Sequence, residues 1–140
     1  MYRIGVDLGG TNIACGIVDD NFKIVVKKSI PTHSERAGEL IVKDIAALCL
    51  AVCAECGITI DDVKIIGIAS PGVANHDSGV VEYANNLNFK RFPIADLLKK
   101  YLNNDKVRVC IENDANAAAW GAQLRFTQVL HIGMFSLLLT

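Results

Sequence analysis

Two apolar runs, Tyr2 to Leu8 and Ile13 to Val18, are separated only by Gly9-Gly10-Thr11-Asn12. That punctuation constrains the fold more than anything else in the chain. An apolar run that ends on a Gly-Gly pair and resumes at once is a strand, a tight turn and a second strand. The two glycines carry no Cβ, so they are free to adopt φ > 0 and to let another group approach the backbone. A turn of this kind aims successive N–H groups at an anion. Asp7 sits near the end of the first run, where an acid needs a partner. A magnesium ion, held directly or through water, is one candidate. An ordinary hairpin is the alternative for Gly-Gly alone, and Asp7 is what shifts the balance.

The rest of the chain extends this start into an α/β pattern. Asp19-Asp20-Asn21 supplies a second turn, and Phe22–Ile30 reads as a third strand, giving an antiparallel meander closed by Pro31. Thr32-His33-Ser34-Glu35 fits a capping box and predicts a helix from that point. Its stripe is Ile41, Ile45, Leu48, Cys49, Val52, Cys53 and Cys56, and Gly57 stops it. Val63–Ala69 is a strand of the buried, parallel type, ended by Ser70-Pro71-Gly72. Residues 73–88 hold two Gly/Asn-rich turns around Val80-Val81-Glu82-Tyr83 and read as an excursion outside the core. A helix started by Pro93 runs over Ile94, Leu97, Leu98, Tyr101 and Leu102, and Val107–Ile111 is the next strand. Glu112-Asn113-Asp114 then leads into a short Ala-rich helix, Ala115–Gln123. The order β-β-β-α-β-α-β-α gives a mixed five-stranded sheet, a meander plus parallel strands, with helices on its faces.

Bulk properties narrow the function classes. The chain has 140 residues, 51% of them hydrophobic and 21% charged, with a formal net charge of −1. That is one globular domain with no charge excess to attract nucleic acid or anionic lipid. No run is long enough to span a membrane; the closest, Val129 to Leu139, contains His131. Five cysteines, an odd number, and an opening without a secretory signal point to reduced thiols in the cytoplasm. Cys53 and Cys56 form a C-x-x-C, but no second pair is present to complete a zinc site, so small apolar packing residues are expected. His33, His76 and His131 have no metal-ligand spacing and read as surface or loop residues. Trp120 reads as packing.

In open α/β sheets, ligands gather at the carboxyl ends of the strands. Three such ends are polar or glycine-rich here: Asp7 to Thr11, Ser70-Pro71-Gly72, and Glu112-Asn113-Asp114. If the strands are parallel neighbours, these groups share a cleft. Asp114 stands at a strand-to-helix junction, where an N-cap is one reading. The other is a general base aimed into the cleft, with Asn113 binding a neighbouring hydroxyl. The Asn-rich segment 85–88 is turn chemistry or a set of sugar-hydroxyl contacts, since Asn both donates and accepts.

Taken in order, Asp7-Leu8-Gly9-Gly10-Thr11-Asn12, Ser70-Pro71-Gly72, Asn86-Leu87-Asn88-Phe89 and Glu112-Asn113-Asp114-Ala115-Asn116-Ala117-Ala118 resemble the ROK family of repressors, open reading frames and sugar kinases. The resemblance covers roughly residues 2–125. It implies an actin-like, ribonuclease H-like ATPase lobe and an ATP-dependent hexose kinase of the glucokinase type. By the same resemblance Gly9, Gly10, Thr11 and Asn12 face the ATP phosphates and Asp7 lies near Mg2+. Gly72, Asn86 and Asn113 contact the sugar, and Asp114 takes the proton from its hydroxyl. ROK kinases continue into a second lobe with a further phosphate loop. Residues 126–140 do not match that continuation and read as a truncated or frameshifted tail, so residues 1–125 are expected to be one lobe, weak or inactive by itself. An uncovered cleft face invites self-association, a homodimer being one form. The phosphate motif lies within the first ten residues, so the winged helix of the repressor branch is not expected. A non-catalytic sugar-binding remnant and an actin-like ATPase lobe without kinase activity remain as alternatives.

Overall fold

In the computed structural model of the chain the described residues are 1–21 and 23–113. Asp114, the expected helix at 115–123, Trp120, His131 and the tail 126–140 lie outside them. The first two strands, β1 (Tyr2–Leu8) and β2 (Asn12–Val18), have the expected bounds. β3 (Ile24–Pro31) begins two residues later than the sequence suggests. The reason is the turn before it: Asp19 Oδ1 accepts from the N–H groups of Asn21 (2.8 Å) and Lys23 (3.0 Å), which holds the chain in the turn through Lys23.

The long helix α1 spans Gly38–Cys56 and ends on Gly57 at φ 77. Its end is where the sequence puts it, but its start is not. Thr32 is six residues upstream of Gly38 and caps no helix, because its hydroxyl is engaged elsewhere, on Gly9. β4 (Val63–Ser70) follows, then three short strands, β5 (Val73–Asn75), β6 (Val80–Ala84) and β7 (Phe89–Phe92). Next come α2 (Ile94–Leu102), with Pro93 one position ahead of it, and β8 (Arg108–Asn113).

The five-stranded sheet has the order β3-β2-β1-β4-β8. β1–β2 and β2–β3 are antiparallel, whereas β1–β4 and β4–β8 are parallel. This is the mixed sheet expected from the sequence. Its alternate residues Ile4, Val6, Leu8, Ile66, Ile68 and Ile111 form one core with Ile41, Ile45, Cys49 and Val52 of α1. Each fully buried aliphatic side chain contributes about 1.5–3 kcal/mol relative to exposure.

The excursion at 73–88 departs from expectation. β5, β6 and β7 form a separate antiparallel sheet, and Val81, Ala84, Leu87, Phe89 and Phe92 are buried in the same core as the main sheet. Phe89 and Phe92 stack with ring centroids 4.4 Å apart, and a Cβ on Gly38 would lie 2.8 Å from the Phe92 ring. The small sheet therefore lies against the first residue of α1. Its strands are too short to show a burial period, and so the sequence hides it.

All five cysteines are free; Cys15, Cys49 and Cys53 are buried. The hydrogen bond of Cys49 with Cys15 and the burial of its thiol hold it well above the ordinary thiol range, and burial pushes Cys53 up to about 11. Thiols raised in this way pack as small apolar groups rather than react. Among the described residues no helix is long and apolar enough to cross a membrane.

Candidate functional site

Register brings the strand ends together. Asp7 of β1 pairs with Ala69 of β4, and Ala69 pairs with Glu112 of β8. Residues paired across parallel strands project from the same face, so Asp7 and Glu112 share a row, two strands or roughly 10 Å apart. Ser70 and Asn113 pair one step further along, on the opposite face. The three ends named from the sequence thus lie on one rim of the sheet. Asp114 follows the last residue of β8 and lies outside the described residues.

The diglycine turn is closed by the Gly9 N–H, which donates to Asn12 O at 2.9 Å. A Cβ at Gly9 would stand 2.8 Å from that same oxygen. Neither Gly9 nor Gly10 has positive φ, contrary to the torsional reason expected for them; close approach of Asn12 is what demands glycine at position 9. Thr11 and Asn12 are exposed on the turn. Asn86 comes beside it: its Cβ is 3.4 Å from where a Gly10 Cβ would be.

Gly72 is fixed by torsion as well as by space. Its φ is 85, and a Cβ there would fall 1.9 Å from Tyr83 O. Its carbonyl accepts a short hydrogen bond from Asn113 Nδ2. Asn113 therefore joins the end of β8 to the turn after β4, and two of the expected sugar contacts meet directly.

The structure adds contacts at the rim that the sequence did not assign. Glu112 is buried; its Oε1 accepts the Asn113 N–H at 2.8 Å, and its Oε2 lies 2.6 Å from His76 Nε2. His76, read as a loop histidine, is on the β5–β6 loop and pairs with a carboxylate at the rim. The signal was there: a Glu in a buried strand needs a partner. Thr32 is buried, donates its hydroxyl to Gly9 O at 2.7 Å and its N–H to Thr11 O at 2.8 Å. Nothing in the sequence announces that contact, since it closes over twenty-three residues.

The described residues hold no group of three or more His, Cys, Asp or Glu side chains placed to cage a metal. A single half-buried carboxylate beside an open turn suits Mg2+, which keeps waters and takes oxygens from a phosphate. It does not suit a metal that needs an all-protein cage.

The meander, the parallel strands, the glycine turn after β1 and the polar rim define an α/β lobe of the actin-like ATPase fold. The chain belongs to the ROK family, whose sequence model matches residues 3–131. It is 34% identical over 118 residues to a glucokinase of Streptomyces coelicolor, covering 84% of this chain and 34% of that protein. It is 31% identical over 131 residues to an N-acetyl-D-glucosamine kinase of Yersinia pestis, covering 89% of this chain and 47% of that protein. Among solved structures it is similar to a ROK family glucokinase from Streptomyces griseus in complex with glucose and AMPPNP. There the TM-score is 0.72 and the identity 36%, over 86% of this chain and 36% of that one. The chain spans about a third of the length of the glucokinases it matches.

Proposed function

We propose that residues 1–125 are the N-terminal lobe of a cytoplasmic, ATP-dependent hexose kinase, with glucose at its 6-hydroxyl as the leading substrate. The observation that carries this reading is the shared rim: Asp7, Gly72 and Asn113 end neighbouring strands or the turn after them, and Asn86 packs on the diglycine turn. The glucokinase relatives, and the glucose and AMPPNP of one solved relative, support both the sugar and the nucleotide. The N-acetyl-D-glucosamine kinase relative leaves the sugar's C2 substituent as the open part of the specificity.

In this reading Gly9, Gly10, Thr11 and Asn12 offer backbone N–H groups and a hydroxyl to the ATP phosphates, and Asp7 holds Mg2+. The ion, when bound, neutralises charge on the phosphate oxygens. Asn113, whose Nδ2 is on Gly72 O, meets a sugar hydroxyl through its side-chain amide, and Asn86 adds a second polar contact beside the turn. Asp114 orients that hydroxyl and takes its proton as the oxygen attacks the γ-phosphorus of ATP, whose bond to the β–γ bridging oxygen breaks to release ADP. Phosphoryl transfer needs little beyond such positioning and charge neutralisation, and closure by a second lobe excludes water. One lobe alone is therefore expected to bind weakly and turn over poorly.

The test is made in a chain whose tail, residues 126–140, is replaced by a complete second lobe of the family. Asp114→Asn lowers kcat for glucose phosphorylation about 10²–10⁴-fold and leaves sugar affinity within a few-fold. Near-normal turnover in a coupled glucose 6-phosphate assay removes Asp114 from this role. Calorimetry on the 140-residue chain with glucose and with Mg-ATP separates the alternatives. Sugar binding without nucleotide binding favours a sugar-binding remnant, and the reverse favours a plain ATPase lobe.

A further inference from the structure

The connection between β3 and α1 was expected to be helix and is instead a bridge between two loops of the rim. At its near end Thr32 holds the diglycine turn by two hydrogen bonds, Oγ1 to Gly9 O (2.7 Å) and N–H to Thr11 O (2.8 Å). In its middle Arg36 Nη2 donates to Thr32 O at 2.8 Å and to Asp44 Oδ2 at 2.6 Å, tying the segment to α1. His33 adopts φ 51, and its carbonyl accepts the Arg36 N–H at 3.1 Å, which bends the segment into a compact turn. At its far end Asn88 Nδ2 donates to the carbonyls of both Glu35 (3.2 Å) and Arg36 (2.9 Å). Asn88 lies in the same Asn-rich turn as Asn86, which packs on Gly10.

A closed circuit results: diglycine turn, Thr32, Arg36, Asn88, Asn86 and back to the diglycine turn. Thr32 to Arg36 and Asn88 to Asn86 are local links; the others join residues far apart in sequence, and the loops joined are the two assigned to phosphate and sugar. We propose that residues 32–36 are a strut through which the Asn-rich turn sets the position of the diglycine turn, with Thr32 as the positioning residue and Asn88 as its outer anchor. The functional meaning rests on the kinase reading: ordering the Asn-rich turn by a sugar also orders the turn that receives the phosphates. The mechanical part stands without it. Neither residue touches reacting atoms; both act through the backbone they hold.

Amide hydrogen exchange of the 140-residue chain without ligand tests the mechanical part. Thr32→Val keeps shape and removes the hydroxyl; exchange at the Gly9 amide rises about fivefold to tenfold, as for loss of one hydrogen bond. Thr32→Ser restores protection, which a packing role for the methyl group would not predict. Asn88→Ala, at an exposed site that folding tolerates, speeds exchange at the Thr32 and Gly9 amides as well as at its own turn. Acceleration confined to residues 85–92, with Gly9 and Thr32 unchanged, overturns the strut. Adding glucose then separates the two ideas. Protection of the Gly9 amide by glucose in the native chain, lost in Asn88→Ala, supports coupling of sugar to phosphate turn. Protection near Asn113 that never reaches Gly9 in the native chain overturns that coupling. An absence of glucose binding sinks the kinase reading while the ligand-free exchange result still decides the strut.

Discussion

The two sheets of this lobe reach order by different means. The five-stranded sheet is built on long aliphatic strands whose alternate residues meet α1 and α2 in a single core. The small sheet has strands of three, five and four residues, and it is ordered by the turns at Gly72 and Gly79 and by Phe89 and Phe92 against α1. The first sheet fixes where strand ends lie. The second brings side chains over those ends, His76 toward Glu112 and Asn86 toward Gly10. A site assembled at such a seam takes precision from the rigid layer and chemistry from the loops of the other.

If the small sheet is a true part of the core, Phe89→Ala costs about 3–5 kcal/mol, comparable with about 2–5 kcal/mol for Ile68→Ala in the main sheet. Both variants then unfold in one cooperative transition in urea. A separate early transition for Phe89→Ala alone breaks the comparison and makes the small sheet an independent unit. Gly72→Ala should come next: the left-handed torsion costs roughly 1–2 kcal/mol, and the Tyr83 carbonyl must also move. The Asn113 side-chain amide signal in NMR should shift with it, because its acceptor is the Gly72 carbonyl. An unshifted amide uncouples the two sheets at the rim.

The smallest effect concerns pH. The Cys53 thiol ionises near 11 when folded and at its ordinary value, about two units lower, when unfolded. The unfolded chain then loses its proton first as pH rises, so this stabilisation is complete below about 9 and fades toward 11. Thermal melts across that window should show a falling Tm, and Cys53→Ala should flatten the fall. An equal slope in both chains assigns the loss to other groups.

Legibility from sequence follows the same divide. The bounds of β1 and β2 were readable because continuous apolar runs stop at the Gly-Gly turn, the end of α1 because Gly57 stops it, and the core stripe of Ile41, Ile45 and Cys49 because burial on a helix repeats with a period. The start of α1 was not. Thr32 and Glu35 satisfy a capping pattern that is local, while the hydroxyl answers to Gly9, a contact only the folded chain creates. The small sheet escaped because three to five residues cannot show alternation. At the rim, Asn113, Gly72 and Asn86 were named from the sequence, but the hydrogen bond of Asn113 to Gly72 and the approach of Asn86 to Gly10 exist only once the chain is folded. Glu112 and His76 were in view as residues but not as a pair.

Among the described residues β3 forms one border of the large sheet, and its side chains have a colloidal consequence. Lys27 and Lys28 put two ammonium groups along that border, Lys28 held near Glu55 at 2.7 Å, and Pro31 closes it without an N–H to offer. A foreign strand seeking to extend the sheet there meets charged side chains and a missing donor, so fibrillar growth through this border is disfavoured even in concentrated solution.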